Sequence, residues 1–383
     1  MSASTDAIQK ITVPLFVPDL GEPEKQGLAA VIDSKWVAMG AVCEKFEARF
    51  AAELGVKHAV SVNNCTAALH LAYMLCDIGP GDEVIVPSLT FAATANAVAY
   101  TGAKPVFADI AGMDDWTIDP AAIEAAITPR TKAIAVMHYG GYPCDMKGIM
   151  AIADNAGIPV VEDACHGLGG DIDGKAMGTL GRSGCFSFYS NKVITTGEGG
   201  MIVTNDDAVA ARGRRLRSHG MTALAYDRMR GAMGYDIAEL GYNYRLDDIR
   251  GAVGLAQMDR LAGSITRRRH LVEVYRRGLA AVSGVSFPRH GGRGNPAHYI
   301  LPVLLDEKLD RVAVRQIMLE YGVQTSVHYP ASHSFSHYGG RTGVLPYTEA
   351  VSNRVLTLPL YPSLTDEQVG LVCSALAEAI RHQ

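Results

Sequence analysis

"GCFSFYSNKVITTGEGGMIVTN", residues 184–205, sets two apolar runs, "GCFSFY" (184–189) and "GGMIVTN" (199–205), on either side of one lysine, Lys192, and a cluster of glycines. Both runs are nearly continuous rather than alternating, which is the pattern of strands covered on both faces. The glycines allow a tight turn between them. A lysine placed there is either a solvated turn residue or one held in a cleft because its amine forms a covalent bond. The surrounding sequence decides between the two.

Five more runs of the same kind precede it: "HAVSV" (58–62), "DEVIVP" (82–87), "KPVFAD" (104–109), "KAIAVMH" (132–138) and "IPVVEDA" (158–164). Helix-like segments such as "TAALHLAYMLC" (66–76), with apolar residues at helical spacing, lie between them. Strands alternating with helices predict an α/β fold with a mostly parallel, helix-covered sheet of seven strands. In such sheets ligands sit beyond the carboxyl ends of the strands.

After residue 206 the character changes. "RMRGAMGYD" (228–236) reads as a flexible loop, and residues 246–282 as a long helix with one or two interruptions. "FPRHGGRGNPAH" (287–298) reads as a loop, and "YILPVLL" (299–305) and "GVQTSVHY" (322–329) as strands of a smaller α+β domain. The expected division is a large domain over 1–260, including the N-terminal segment, and a small C-terminal domain over 261–383. The run Arg267, Arg268, Arg269 is expected on a solvated helix face.

The chain has 383 residues, 48% hydrophobic and 20% charged, as in ordinary globular proteins. A formal net charge of −5 gives no electrostatic reason for a nucleic-acid partner. Seven scattered cysteines form no CxxC pair, so neither a zinc site nor a disulfide framework is indicated. The polar start "MSASTDAIQK" lacks the apolar core of a signal peptide, and no apolar run reaches transmembrane length. A reducing cytoplasm and no membrane contact are expected.

The chemistry gathers at strand ends. Asp163 closes the run in "VVEDACHG", and Lys192 follows 29 positions later, after the next strand. Two successive sheet elements thus deliver a carboxylate and an amine to one cleft. Pyridoxal phosphate needs such a pair, a lysine for the Schiff base and an acid to keep the pyridine nitrogen protonated. Its phosphate needs donors, and Cys65 and Thr66 open a helix in "NNCTAALHL", where backbone N–H groups and the helix dipole favour an anion. That helix start would also depress the pKa of the Cys65 thiol, and a nearby anionic phosphate would oppose this. Ser187 offers another hydroxyl, and Phe91, after the strand end in "PSLTFAATANAV", either covers a flat ring or packs in the core. The spacing of His138, His219, His328 and His333 matches no metal-ligand pattern, so no metal is expected. The loops "HYGGYP", "RHGGRG" and "VHYPASH" suit a large polar ligand, and Arg289 and Arg293 in the second are candidates for meeting a diphosphate.

"VPSLTFAATANAV", "VVEDACHGLGG", "FSFYSNKVITTGEGGMIVTND" and "LGYNYRLDDIRGAVGLAQMDRL" resemble the DegT/DnrJ-type sugar aminotransferases. The resemblance runs from "SKWVAMG", around Met39, to "LTLPLYPSLTDEQV". It implies a pyridoxal phosphate-dependent transferase fold of the aspartate aminotransferase type. It implies pyridoxal 5'-phosphate held covalently at Lys192 and cycling with pyridoxamine 5'-phosphate. Lys192 would also shuttle protons, and Asp163 would pair with the pyridine nitrogen. By the same resemblance His166 lies near the phenolic oxygen, Phe91 stacks on the ring, and Thr66 and Ser187 bind phosphate. Asn243 reaches the phosphate from the neighbouring subunit of a homodimer with shared active sites. Cys65 stands where the family has a small residue. His328, and Met39 in the first matched segment, are carried over as substrate contacts. The implied reaction moves an amino group from L-glutamate to a nucleotide-linked keto-deoxysugar, in amino-sugar biosynthesis. A keto-inositol aminotransferase would share these residues, and a dehydratase of the family would have His in place of Lys192.

Overall fold

The computed structural model describes residues 11–223, 225–231, 233–289 and 291–383. All seven apolar runs form strands of one sheet: β1 (His58–Val62), β2 (Glu83–Pro87), β3 (Lys104–Ala108), β4 (Thr131–Met137), β5 (Val160–Asp163), β6 (Ser183–Ser187) and β7 (Gly200–Thr204). Their spatial order is β1-β7-β6-β5-β4-β2-β3. β7 runs antiparallel to β1 and β6, and the other pairs are parallel. β2, β5 and β7 are buried along their whole length, which is why their sequences are continuous rather than alternating. Each fully buried Val or Ile there contributes about 1.5–3 kcal/mol relative to exposure.

This topology brings the ends of β2, β4, β5 and β6 to one edge, together with the start of the reversed β7. Helices α1 (Cys65–Met74) and α2 (Ala92–Tyr100) follow β1 and β2 and share a core with Val161 and Cys185. Farther on, α3 (Asp248–Met258) and α4 (Leu261–Gly278) form the expected long helical stretch with one break.

α4 joins two cores. Leu261 and Ile265 pack with Phe186 and Phe188, whereas Leu271, Val272 and Tyr275 pack in a second core. The second core surrounds a three-stranded antiparallel sheet of Val285–Ser286, β8 (Leu301–Leu305) and β9 (Val355–Leu358). Val13 is buried in the same core and bridges Val323. Helix α5 (Pro346–Arg354) leads into β9.

Three expectations change. "GVQTSVHY" makes no strand, only single bridges at Val323 and Ser326, because the segment leaves the small sheet to reach the cleft. Its place is taken by "VLTL". Arg228 and Met229, assigned to a loop, close the short helix Ala225–Met229. Arg268 is not solvated. It falls on the inner stripe of α4 at the spacing 261, 265, 268, 272, 275, and is 3% exposed. Its guanidinium donates to the carbonyls of Tyr299 (3.0 Å) and Leu360 (3.1 Å), and burial lowers its pKa to about 10. Arg267 and Arg269 do lie outward, bonded to Asp366 and to the Gly169 carbonyl.

Candidate active site

A cleft of about 650 Å³ opens at the sheet edge where these strand ends meet. Cys65, Thr66, Phe91, Asp163, Ser187, Lys192 and His328 all line it. The alternation of β5 sorts two neighbouring acids. Asp163 is buried against α2, where Thr94 Oγ1 donates to Oδ2 (2.7 Å) and the Cys165 amide to Oδ1 (3.2 Å). Thr94 Oγ1 in turn bonds Thr90 Oγ1 (2.7 Å). Glu162 points to the opposite face, where it accepts from the amides of Gly178, Leu180 and Gly181 and bonds His138 Nε2.

The start of α1 also lines the cleft. Asn64 caps α1, its Oδ1 accepting from the Ala67 amide (2.8 Å). The Cys65 and Thr66 amides, in the first turn, have no carbonyl of their own helix to bond. Gly200 lets this helix start press on β7, since a Cβ there would lie 2.5 Å from the Asn64 carbonyl oxygen and 2.8 Å from the Cys65 nitrogen. The Cys65 thiol does not behave as its position at a helix start suggests. Burial, then the Asp163 charge, push its pKa well above the ordinary range.

Lys192 Nζ lies 4.0 Å from the centre of the Tyr299 ring. Burial works against the ammonium, while Tyr299 and Cys165 act the other way and leave the pKa above that of a free lysine. Burial also raises the pKa of the Tyr299 phenol. The phenol is therefore neutral while the lysine is charged, and the amine meets the ring face together with the phenol hydroxyl. Behind it, His166 Nδ1 accepts from the Gly140 amide (3.1 Å), so the ring proton sits on Nε2 and is donated to the Tyr329 hydroxyl (3.0 Å). Burial, aided by Lys192, holds the His166 pKa well below its ordinary value, in keeping with this neutral form. His328 Nδ1 bonds Thr357 Oγ1 (2.9 Å), and burial lowers its pKa to about 4.

Other expected residues stand elsewhere. Asn243 is exposed and lines no part of this chain's cleft. Met39 borders a separate small pocket with Cys43, Arg217 and Tyr226. Of the three loops expected to meet a large ligand, among the described residues only "VHYPASH" reaches the cleft. "HYGGYP" packs beneath His166, where a Cβ on Gly141 would lie 2.8 Å from the His166 carbonyl. Arg293 is paired with Asp115, and Arg289 lies 3.7 Å from Asp114, both away from the cleft. Sequence reading missed Tyr299, Tyr329, Thr94 and Cys165. Thr94, Cys165 and Tyr329 lie inside quoted motifs without being singled out, and Tyr299 opens the run "YILPVLL".

The donor set suits pyridoxal phosphate: a carboxylate and an amine deep in one cleft, and amides and hydroxyls at its far wall. Among the described residues no cluster of His, Cys, Asp or Glu is placed to hold a metal, and no helix is long and apolar enough to cross a membrane.

The model of the DegT/DnrJ/EryC1/StrS aminotransferase family matches residues 18–377. The chain is 38% identical over 379 residues to the spore coat polysaccharide biosynthesis protein SpsC of Bacillus subtilis, covering 96% of this chain and 97% of that one. It resembles the aminotransferase TlmJ from Streptoalloteichus hindustanus with a TM-score of 0.90 and 35% identity, over 97% and 99% of the two chains. It also resembles DesI, solved in the presence of its TDP-sugar product, with a TM-score of 0.87 and 34% identity, over 97% and 93%. The seven-stranded sheet and its companion are those of this aminotransferase fold.

Proposed function

Because this chain belongs to the DegT/DnrJ/EryC1/StrS aminotransferase family, we propose that it transfers an amino group from L-glutamate to the ketone of a nucleotide-linked deoxysugar, using pyridoxal 5'-phosphate bonded to Lys192. The observation that carries the reading is the meeting of Asp163, Lys192 and the α1 start in one cleft.

Each residue has a task that its position permits. Lys192 would hold the cofactor through its aldehyde and, as a free amine, would take and return the substrate proton. Asp163, fixed by Thr94 and the Cys165 amide, keeps a ring nitrogen protonated. The Cys65 and Thr66 amides with the Thr66 and Ser187 hydroxyls hold the phosphate. Phe91, whose ring centre lies 5.7 Å from that of Tyr329, covers the cofactor ring from the open side. His166 orients the Tyr329 hydroxyl from behind, and His328 contacts the acceptor. When bound, the cofactor supplies an aldehyde for amine capture and a ring that accepts electrons as a Cα proton departs.

The nucleotide-sugar acceptor is supported by the likeness to DesI with its TDP-sugar product. The exposed Asn243 supports a homodimer in which this residue completes the partner's phosphate site. Calorimetry of the pyridoxamine form against nucleoside diphosphates tests the acceptor class. Competitive binding by one of them is the expected result, and turnover of a free keto-inositol with no nucleotide binding would overturn it.

A further inference from the structure

We propose that the face of Tyr299 is the seat of the Lys192 ammonium whenever that amine is not bonded to cofactor, so that Tyr299 sets the balance between the covalently held and the pyridoxamine forms. The inference rests on the function proposed above, and it concerns a residue that sequence reading did not single out.

The geometry has two parts. The amine lies 4.0 Å above the ring centre. The ring is also held still: Tyr299 is 3% exposed, its hydroxyl donates to Asn191 Oδ1 (2.9 Å), and its amide donates to the Gly140 carbonyl (3.1 Å). Its own carbonyl accepts from the buried Arg268 (3.0 Å), and His166 packs at 4.1 Å between ring centres, on planes inclined by 33°. The side chain is thus anchored through its hydroxyl and both backbone groups. The same cleft wall carries the Cys165 and Cys65 thiols, Asp163 and Glu198, and the Tyr299 ring is the group that the amine sits over. A fixed aromatic face in a partly desolvated cleft stabilises such a cation.

The consequence is one of linkage. Stabilising a free ammonium favours every state in which Lys192 makes no covalent bond, and the pyridoxamine form is such a state. It does nothing for the state in which the amine is bonded to the aldehyde, since the cation is then consumed. Tyr299 therefore raises affinity for pyridoxamine phosphate relative to pyridoxal phosphate.

The test is spectroscopic titration of the cofactor-free protein with each form, giving the ratio of the two dissociation constants, pyridoxamine over pyridoxal. Tyr299→Leu is expected to raise that ratio about tenfold, the scale of a desolvated cation–π contact. Tyr299→Phe keeps the face and should shift the ratio far less than the Leu variant does. Tyr299→Met fills the same space if the Leu variant folds poorly. The shift should fall on pyridoxal phosphate affinity, since the amine is free before and after pyridoxamine phosphate binds; in a Lys192→Ala background Tyr299→Leu should leave the ratio unmoved, because the two residues then share no interaction. An unchanged ratio in the folded Leu or Met variant would sink the proposal, and so would an equal shift in the Phe variant. Failure of the wild-type protein to form a lysine-bound chromophore with pyridoxal phosphate would overturn the function and this inference together.

Discussion

Asp163 has both carboxylate oxygens engaged by the protein, Oδ2 by Thr94 and Oδ1 by the Cys165 amide. A carboxylate fixed in this way can face a ring nitrogen without first reorganising, which is where electrostatic catalysis gains most. Asp163→Asn should retain cofactor and lower kcat about 10²–10³-fold, the scale of losing one preorganised electrostatic contact. Near-normal turnover would assign the role to another acid, though Glu162 is ruled out by its orientation toward the opposite face. Thr94→Val should cost less, about tenfold, since it frees a charged partner without removing it. Lys192→Ala should lose turnover and the covalent chromophore while keeping its far-ultraviolet circular dichroism; measurable multiple turnover in amine-free buffer would contradict this. Asp163 and Lys192 were legible because strand ends mark them. Thr94 was not, because its contact with Asp163 spans 69 positions and only packing brings them together.

The strand β2 ends in an arrangement whose appearance misleads. Ser88 Oγ bonds His333 Nδ1 (2.6 Å), and His333 Nε2 bonds Glu349 Oε1 (3.2 Å), a serine–histidine–carboxylate chain like that of a hydrolase. Ser88 is fully buried and His333 is 4% exposed, so no substrate reaches the hydroxyl. The chain is a strut instead, tying the end of β2 to the segment carrying His328 and Tyr329 and onward to α5. Ser332 reinforces it, its amide donating to the Ser88 carbonyl (2.9 Å) and its hydroxyl to that of Thr90 (3.1 Å). Glu349 also accepts from the amides of Gly343, Val344 and Leu345, and these bonds, that of Gly343 first, lower its pKa from 4.5 to about 2. A depressed carboxylate stabilises the fold above its unfolded pKa and loses that contribution as pH falls through the folded value. The Glu349 contribution should thus be full above pH 4.5 and fade toward pH 2. In urea unfolding followed across that window, Glu349→Gln should start lower than wild type and fall less steeply; parallel slopes would count against the strut. At this scale the seven large-sheet strands were legible from their continuous apolar runs. The small sheet was misread at "GVQTSVHY", where β-branched residues gave a strand signal but the backbone is drawn off toward the cleft. Arg268 was misread because a charge run looks solvated until α4 is seen to have cores at both ends.

At the scale of the whole molecule, the segment after the short helix Ala225–Met229 leaves Met233, Tyr235, Ile237 and Leu240 all more than half exposed, close in sequence to Asn243. If Asn243 serves the partner's site, a mixture of Lys192→Ala with an Asn243 variant defective in phosphate binding should recover activity. Equal mixing of two-fold symmetric dimers gives about a quarter of the native sites, all in hybrids. No recovery after confirmed subunit exchange would place both residues in one chain's site. The family resemblance spans the chain, yet the cleft's depth and the lysine's seat were not in it, because they depend on which side chains meet across two cores. Val13 is the last feature to consider. It donates its amide to Gly322 (3.0 Å), accepts from Gln324 (3.0 Å) and is buried among residues of the C-terminal core. On a ribosome the strip around Val13 emerges some 310 positions before Val323. At ordinary elongation rates that is roughly 15–60 s with its apolar side chains unpartnered. The newborn large sheet thus assembles while its leading strip is still free, and the second core closes only when late-made sequence returns to meet it.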